Sequence, residues 1–292
     1  MKIFLITKKI YNFLYFFKYR LIGFGNLFKQ KKEIKNLERT KKEICLIYDF
    51  KTSPLAIGNF AYLVLFARYL CFKGFKIHFY IIKNDKIGNQ SKKEIKKKKY
   101  IFNYINLLPK ILLNKNLKSF QILKWEEAIY KIKKQKLHVL FKDIAYQRKY
   151  SVQSFLFYLF NKLVIKENFF FLNKFLLNEK TFKDFSNKKI INFTKKNYLS
   201  VLFRMDKFNP LRNSKKYEII KICDCLKKKF PKKNILIISD ESGCQKAKKI
   251  LKNKKNIFFS KDYSRSVFSD IYLQLKSDIC FASHLSGGML TW

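Results

Sequence analysis

Three consecutive pieces decide the fold: Leu199-Ser-Val-Leu-Phe203 ending at Arg204, Lys215 to Phe230 stopped by Pro231, and Asn234-Ile-Leu-Ile-Ile238 ending at Ser239-Asp240. The two short apolar runs, bounded by polar residues, read as strands buried on both faces. The segment between them sets Ile219, Ile220, Cys223 and Leu226 on one side and lysines on the other, which is a helical pattern. The alternation continues as a helix over Glu241–Leu251, a short strand over Asn256–Phe259, a helix over Ser264–Leu275 and a strand over Asp278–Ala282. Strand, helix, strand in this rhythm means right-handed crossovers and a parallel sheet.

Upstream the same grammar recurs. Ile44-Cys-Leu-Ile-Tyr-Asp-Phe50 is a continuous strand, and a loop from Lys51 to Asn59 leads into an apolar helix over Phe60–Phe72, closed by Gly74. Lys76–Ile82 is the next strand. A helix over 100–113, a strand over 119–123, a helix over 125–135 and a strand over Leu137–Phe141 follow, then an aromatic helical stretch over 152–177. Apolar periodicity fades around 178–197. The expected architecture is therefore α/β, with two Rossmann-like doubly wound domains, 41–190 and 191–292, behind a basic aromatic segment at 1–40. The last ten residues read as a strand-to-helix turn plus one helical turn, so the second domain is expected to be incomplete.

In residues 1–32, Phe13, Phe16, Phe17 and Leu21 recur at helical spacing with Lys8, Lys9, Lys18 and Arg20 interleaved. An amphipathic helix lying in a membrane interface and a helix packed on the main body both fit. No stretch reaches the ~20 apolar residues that a membrane span needs. The six cysteines have no framework spacing and read as reduced thiols. The net charge of +44 comes from 57 lysines and only seven arginines among 64 basic residues. A nucleic-acid reader more often concentrates arginine, whose planar fork matches phosphate and guanine edges. Lysine in nearly every segment points instead to general attraction for anionic surfaces.

Open parallel sheets bind ligands at the carboxyl ends of their strands. After the final strand, Ser283-His284-Leu-Ser286-Gly287-Gly288 would turn backbone N–H groups and a helix start toward an anion, or form an ordinary glycine turn. His284 fits a phosphate or sugar contact or a structural turn. Arg204, placed at a strand end in a chain so biased to lysine, is the first choice for gripping a diphosphate. Arg212 fits the same role or a surface ion pair. Ser239 and Asp240 stand at the next strand end, with Lys261–Arg265 after the one beyond. Asp49, ending the first strand, is the best-placed carboxylate for a general base or, equally, a cap for the loop behind it. His78 and His138 fall inside strands and read as structural. No cluster has metal-ligand spacing, and there is no full phosphate-binding glycine loop of the familiar kinds.

Three of these motifs together resemble GT-B glycosyltransferases of bacterial surface-polysaccharide clusters, of fucosyltransferase-like or heptosyltransferase-like kind. They are Asp49-x-x-x-Ser53-Pro54-x-x-x-Gly58-Asn59, Arg204-x-Asp206 with Pro210-x-Arg212-Asn213-Ser214, and Ser283-x-x-Ser286-Gly287-Gly288. The resemblance spans about residues 41–292. It implies a first domain for a glycan or lipid-linked acceptor, faced by Ser53, Gly58 and Asn59. A second domain would hold a nucleotide sugar through Arg204, Arg212, Asn213, Ser239, Asp240 and the 283–288 turn. It implies no cofactor beyond that co-substrate and no metal, since positive groups and a helix start meet the departing diphosphate. It also implies work on the cytoplasmic side, peripheral to an anionic membrane, in lipopolysaccharide-type synthesis. Asn59 departs from the acidic residue expected there. Two other classes stay open: a basic nucleic-acid-binding protein, and a non-catalytic membrane-associated remnant of such an enzyme.

Overall fold

The computed structural model describes residues 32, 33, 36, 43–149 apart from 89, 98 and 100, 180–205 and 213–282. The chain divides into two compact units, residues 1–175 and 176–292.

In the first unit, β1 (Glu43–Asp49), β2 (Lys76–Ile82), β3 (Leu117–Leu123) and β4 (His138–Val139) form one parallel sheet in the order β3-β2-β1-β4. The register aligns Asp49 with Ile82 at one end and Cys45 with Val139 at the other pairing. Stepping from β1 outward, right-handed crossovers put α1 (Ile57–Phe72) and α3 (Ile101–Leu113) on one face, where they pack together. The return to β4 runs the other way, which sends α4 (Trp125–Lys134) to the opposite face. A charged helix, α2 (Lys92–Lys97), precedes α3. Tyr48, Phe60 and Phe79 are fully buried and meet edge-on, with ring centroids 5.0 and 5.5 Å apart.

Two sequence expectations shift here. Helix α1 begins at Ile57, after an extended Ala56, so Gly58 and Asn59 lie in its first turn and not in the loop. The strand expected over Leu137–Phe141 is only two residues long. Leu140 N–H still donates to Cys45 O at 3.0 Å, but Phe141 turns left-handed (φ 56°) and starts a short helix, α5 (Lys142–Gln147).

The second unit repeats the plan. Two short helices, α6 (Lys180–Lys183) and α7 (Lys188–Phe193), precede β5 (Tyr198–Leu202). With β6 (Asn234–Ile238), β7 (Ile257–Phe259) and β8 (Ile279–Ala282) it makes a parallel sheet in the order β7-β6-β5-β8. Helices α8 (Lys216–Lys229) and α9 (Glu241–Ile250) pack together, and α10 (Val267–Leu275) packs on α6. Each start is marked: the Glu218 carboxylate accepts from Lys215 N–H at 2.7 Å, Asp240 from Gly243 N–H at 2.6 Å, and Ser266 from Phe268 N–H at 3.2 Å. Leu199, Val201, Ile235 and Ile237 meet Ile219, Cys223 and Ala247 in the core. Both units are thus doubly wound α/β layers of Rossmann type, as the sequence implied.

All six cysteines are free thiols. Burial pushes Cys223 up to about 12 and Cys45 higher still. His78 and His138 lie in β2 and β4, His78 against Ser119 Oγ at 2.9 Å and His138 against Glu33 Oε1 at 2.9 Å. Among the described residues, no helix is long and apolar enough to cross a membrane. The helix expected in 1–32, residue 32 apart, and the stretch at 152–177 lie outside the described residues, as do Arg212 and the 283–288 turn.

Candidate functional site

In each sheet the strand order reverses beside the first strand, and in open α/β sheets ligands bind in the crevice at that point, outside the strand carboxyl ends. In the second unit the reversal lies between β5 and β8, where Leu202 pairs with Ala282. The residues that leave these two strands start side by side, so Phe203-Arg204 and the segment after Ala282 depart from one sheet edge. Arg204 is half-buried, and its carbonyl accepts from Ser214 N–H at 2.9 Å. Asn213 is half-buried and Ser214 is buried.

Two residues expected to contact donor also have structural duties. Ser239 is buried, and its Oγ donates to Phe203 O at 2.9 Å, tying the end of β6 to the end of β5. Asp240 caps α9 through Gly243 N–H. Gly243 is what lets the two approach: a Cβ there would stand 2.0 Å from Ser239 Oγ. These groups help to set where Arg204 leaves the sheet. Farther out, Lys261 forms an ion pair with Asp270 of α10, both side chains about nine-tenths buried. Burial raises the Asp270 carboxyl and Lys261 pulls it back. Arg265 is exposed and only 3.4 Å from Glu241, a surface pair.

In the first unit the reversal lies between β1 and β4. Asp49 ends β1 there, as the sequence implied, but its carboxylate is engaged. Arg148 donates from Nε to Oδ2 at 2.6 Å and from Nη2 to Oδ1 at 3.2 Å, and Lys51 N–H donates to Oδ1 at 2.8 Å. The two side chains are 8% and 17% exposed. A general base needs a lone pair aimed at the proton it removes. Three directed donors on a nearly buried carboxylate make it a fixing point for Arg148 and the turn at Lys51, in line with the loop-holding alternative to a general base. The loop beyond is braced: Tyr48 OH donates to Pro54 O at 2.7 Å, Gly88 N–H to Phe50 O at 2.8 Å, and Leu55 N–H to Gln90 Oε1 at 2.6 Å. Ser53 is buried in this loop, and Gly58 and Asn59 are half-buried. Among the described residues no group of three or more His, Cys, Asp or Glu could hold a metal.

The chain is similar in structure to a glycosyl transferase of family 9. That protein, from Veillonella parvula, matches over 86% of this chain and 78% of its own, at 8% identity and a TM-score of 0.46. The E. coli ADP-heptose LPS heptosyltransferase II matches over 85% and 80%, at 10% identity and 0.38. A Listeria monocytogenes protein described as a UDP-N-acetylglucosamine 2-epimerase matches over 85% and 76%, at 9% and 0.37. No family model matches the sequence, and no curated protein does.

Proposed function

We propose that the chain is a glycosyltransferase that moves a sugar from a nucleotide-diphosphate donor to a glycan or lipid-linked acceptor. In this reading the second unit takes the donor diphosphate and the first unit the acceptor. The observation that carries it is the pairing of β5 with β8, which starts the Arg204 loop and the Ser283–Gly288 segment from one sheet edge at the strand-order reversal. An arginine fork and the backbone N–H groups of a Ser-Gly-Gly segment are the donors that a departing diphosphate requires, since its negative charge grows as the glycosidic bond breaks. His284 and Arg212, in the same two segments, would add contacts to phosphate or sugar. The work would be done at the inner face of the cytoplasmic membrane, where lysines meet anionic headgroups.

One observation favours a second reading, a binder of polyanions. Residues 215–256, which carry α8 and α9, hold fourteen lysines, four acidic residues and no arginine, whereas 257–282 hold three basic and three acidic residues. The excess charge of 215–256 thus falls on these two helices and the turns that follow them, and not on 257–282.

A thermal-shift panel separates the two readings. Nucleotide-diphosphate sugars should raise Tm by about 2–4 °C for each kcal/mol of folding stability that the bound ligand adds at the concentration used. Duplex DNA at physiological salt should leave Tm unchanged. Stabilisation by duplex DNA alone, with none from any nucleotide sugar, would replace the first reading by the second.

A further inference from the structure

The strand-order reversal of the first sheet has its own arginine. Arg148 follows β4 and α5, and its backbone is left-handed (φ 49°), as is that of Phe141 at the other end of the same short helix. For bulky residues this region is unfavourable, and such conformations persist where the surroundings hold them. What holds Arg148 is visible. Its Nε and one Nη2 hydrogen face Asp49, and its guanidinium lies over the Trp125 ring, 4.6 Å from the centroid. Trp125 is in turn fixed edge-on by Tyr146, with centroids 5.8 Å apart.

A guanidinium offers five N–H donors in one rigid plane. Asp49 occupies the edge formed by Nε and Nη2. The end-on edge, formed by Nη1 and the second Nη2 hydrogen, has no partner among the described residues. Replacing a buried ion pair by apolar side chains is often neutral or stabilising, so the pair is weak as a device for stability alone. A charged group so fixed at the ligand edge of a parallel sheet is better suited to recognition, because its fork is set before a ligand arrives.

We propose that Arg148 forms an oxyanion-binding site at the carboxyl end of the first sheet, with Asp49 and Trp125 as its positioning residues. The ligand carries a phosphate or carboxylate able to accept two parallel N–H bonds. Calling that anion part of the acceptor rests on the glycosyltransferase reading, whereas the site itself does not.

The test uses the full chain with Trp292→Phe, which leaves Trp125 as the one tryptophan of two. Inorganic phosphate and acetate are titrated separately at constant ionic strength, with chloride as the balancing ion, while Trp125 emission is followed. A saturable change with either anion is expected, and the anion with the lower midpoint identifies phosphate or carboxylate as the preferred group. Arg148→Lys should raise that midpoint at least tenfold, whereas Lys142→Ala, beside Tyr146, should leave it within twofold. If Arg148→Lys fails to fold by circular dichroism, Asp49→Asn keeps the arginine but frees it, and should raise the midpoint several-fold. No saturable change with either anion, or a midpoint unmoved in the folded arginine or aspartate variant, would overturn the proposal. Neither probe contains a nucleotide or a sugar, so the result is independent of the donor reading.

Discussion

Both units carry an arginine near the strand-order reversal, Arg204 just after the first strand of its sheet and Arg148 after the last strand and a short helix, and they use their strand ends differently. In the first, Arg148 is closed onto Asp49 and Trp125 within its own unit, and the aspartate is consumed in holding it. In the second, the neighbouring polar residues are tied to backbone: Ser239 to Phe203 O and Asp240 to Gly243 N–H. Arg204 therefore leaves the sheet with the adjacent strand ends clamped by groups other than itself. One fold thus gives two kinds of strand-end site, one fixed by a side-chain ion pair and the other by backbone clasps. The lesson concerns aspartates in particular. An acidic residue just after a parallel strand is as readily a cap or an arginine anchor as a catalyst, and only its hydrogen-bond partners distinguish these roles.

The contrast predicts unequal sensitivity. Asp49→Ala leaves a nearly buried guanidinium uncompensated and should cost the first unit about 3–5 kcal/mol, the range for breaking a buried pair from one side. Urea denaturation followed by Trp125 emission in the Trp292→Phe background measures it. A loss below about 1 kcal/mol would mean that the pair is solvated and the contrast false. In the second unit the comparable fault is steric. Gly243→Ala forces a methyl into the space of Ser239 Oγ, and the clasp on Phe203 O must open. Overpacking of this kind costs about 1–3 kcal/mol. Circular-dichroism melts of Gly243→Ala and of the Gly243→Ala/Ser239→Ala pair check it, since removing the hydroxyl should return part of the loss. No recovery in the pair would show that the strain lies elsewhere.

Much of this was legible in the sequence because buried parallel strands are continuous apolar runs and their helices carry a clear apolar side. β2 and β6 have the bounds read from the chain, and β1, β5 and β8 fall within a residue of them. The weaker readings failed where local pattern and backbone geometry diverge. Leu137–Phe141 is apolar throughout, yet Phe141 turns left-handed and ends the strand after Val139, a change that hydrophobicity does not report. Gly58 and Asn59 look like loop residues but lie in the first turn of a helix that starts at Ile57, after an extended Ala56. Of the candidate site, Arg204 and Asp49 were found by position at strand ends. Ser239 and Asp240 stand out the same way, but their clasp and cap are not legible in sequence, where such residues look like ligand contacts. Arg148 carries the same sequence signal as Arg204, since in a lysine-rich chain an arginine marks a place where a fork is needed, but it does not stand at a strand end. Its partner Asp49 lies 99 residues away, and nothing local joins them.

The most direct test of the account is the binding of a nucleotide-diphosphate sugar to the full chain and to Arg204→Lys, by calorimetry. Lysine keeps the positive charge but loses the two directed hydrogen bonds, so affinity should fall by about 1–3 kcal/mol, the range for charged hydrogen bonds. Arg148→Lys, on the other unit, should leave donor affinity within about twofold while lowering the stability of its own unit. An Arg204→Lys protein that binds donor as tightly as the parent would contradict the assignment of the diphosphate to the β5–β8 edge.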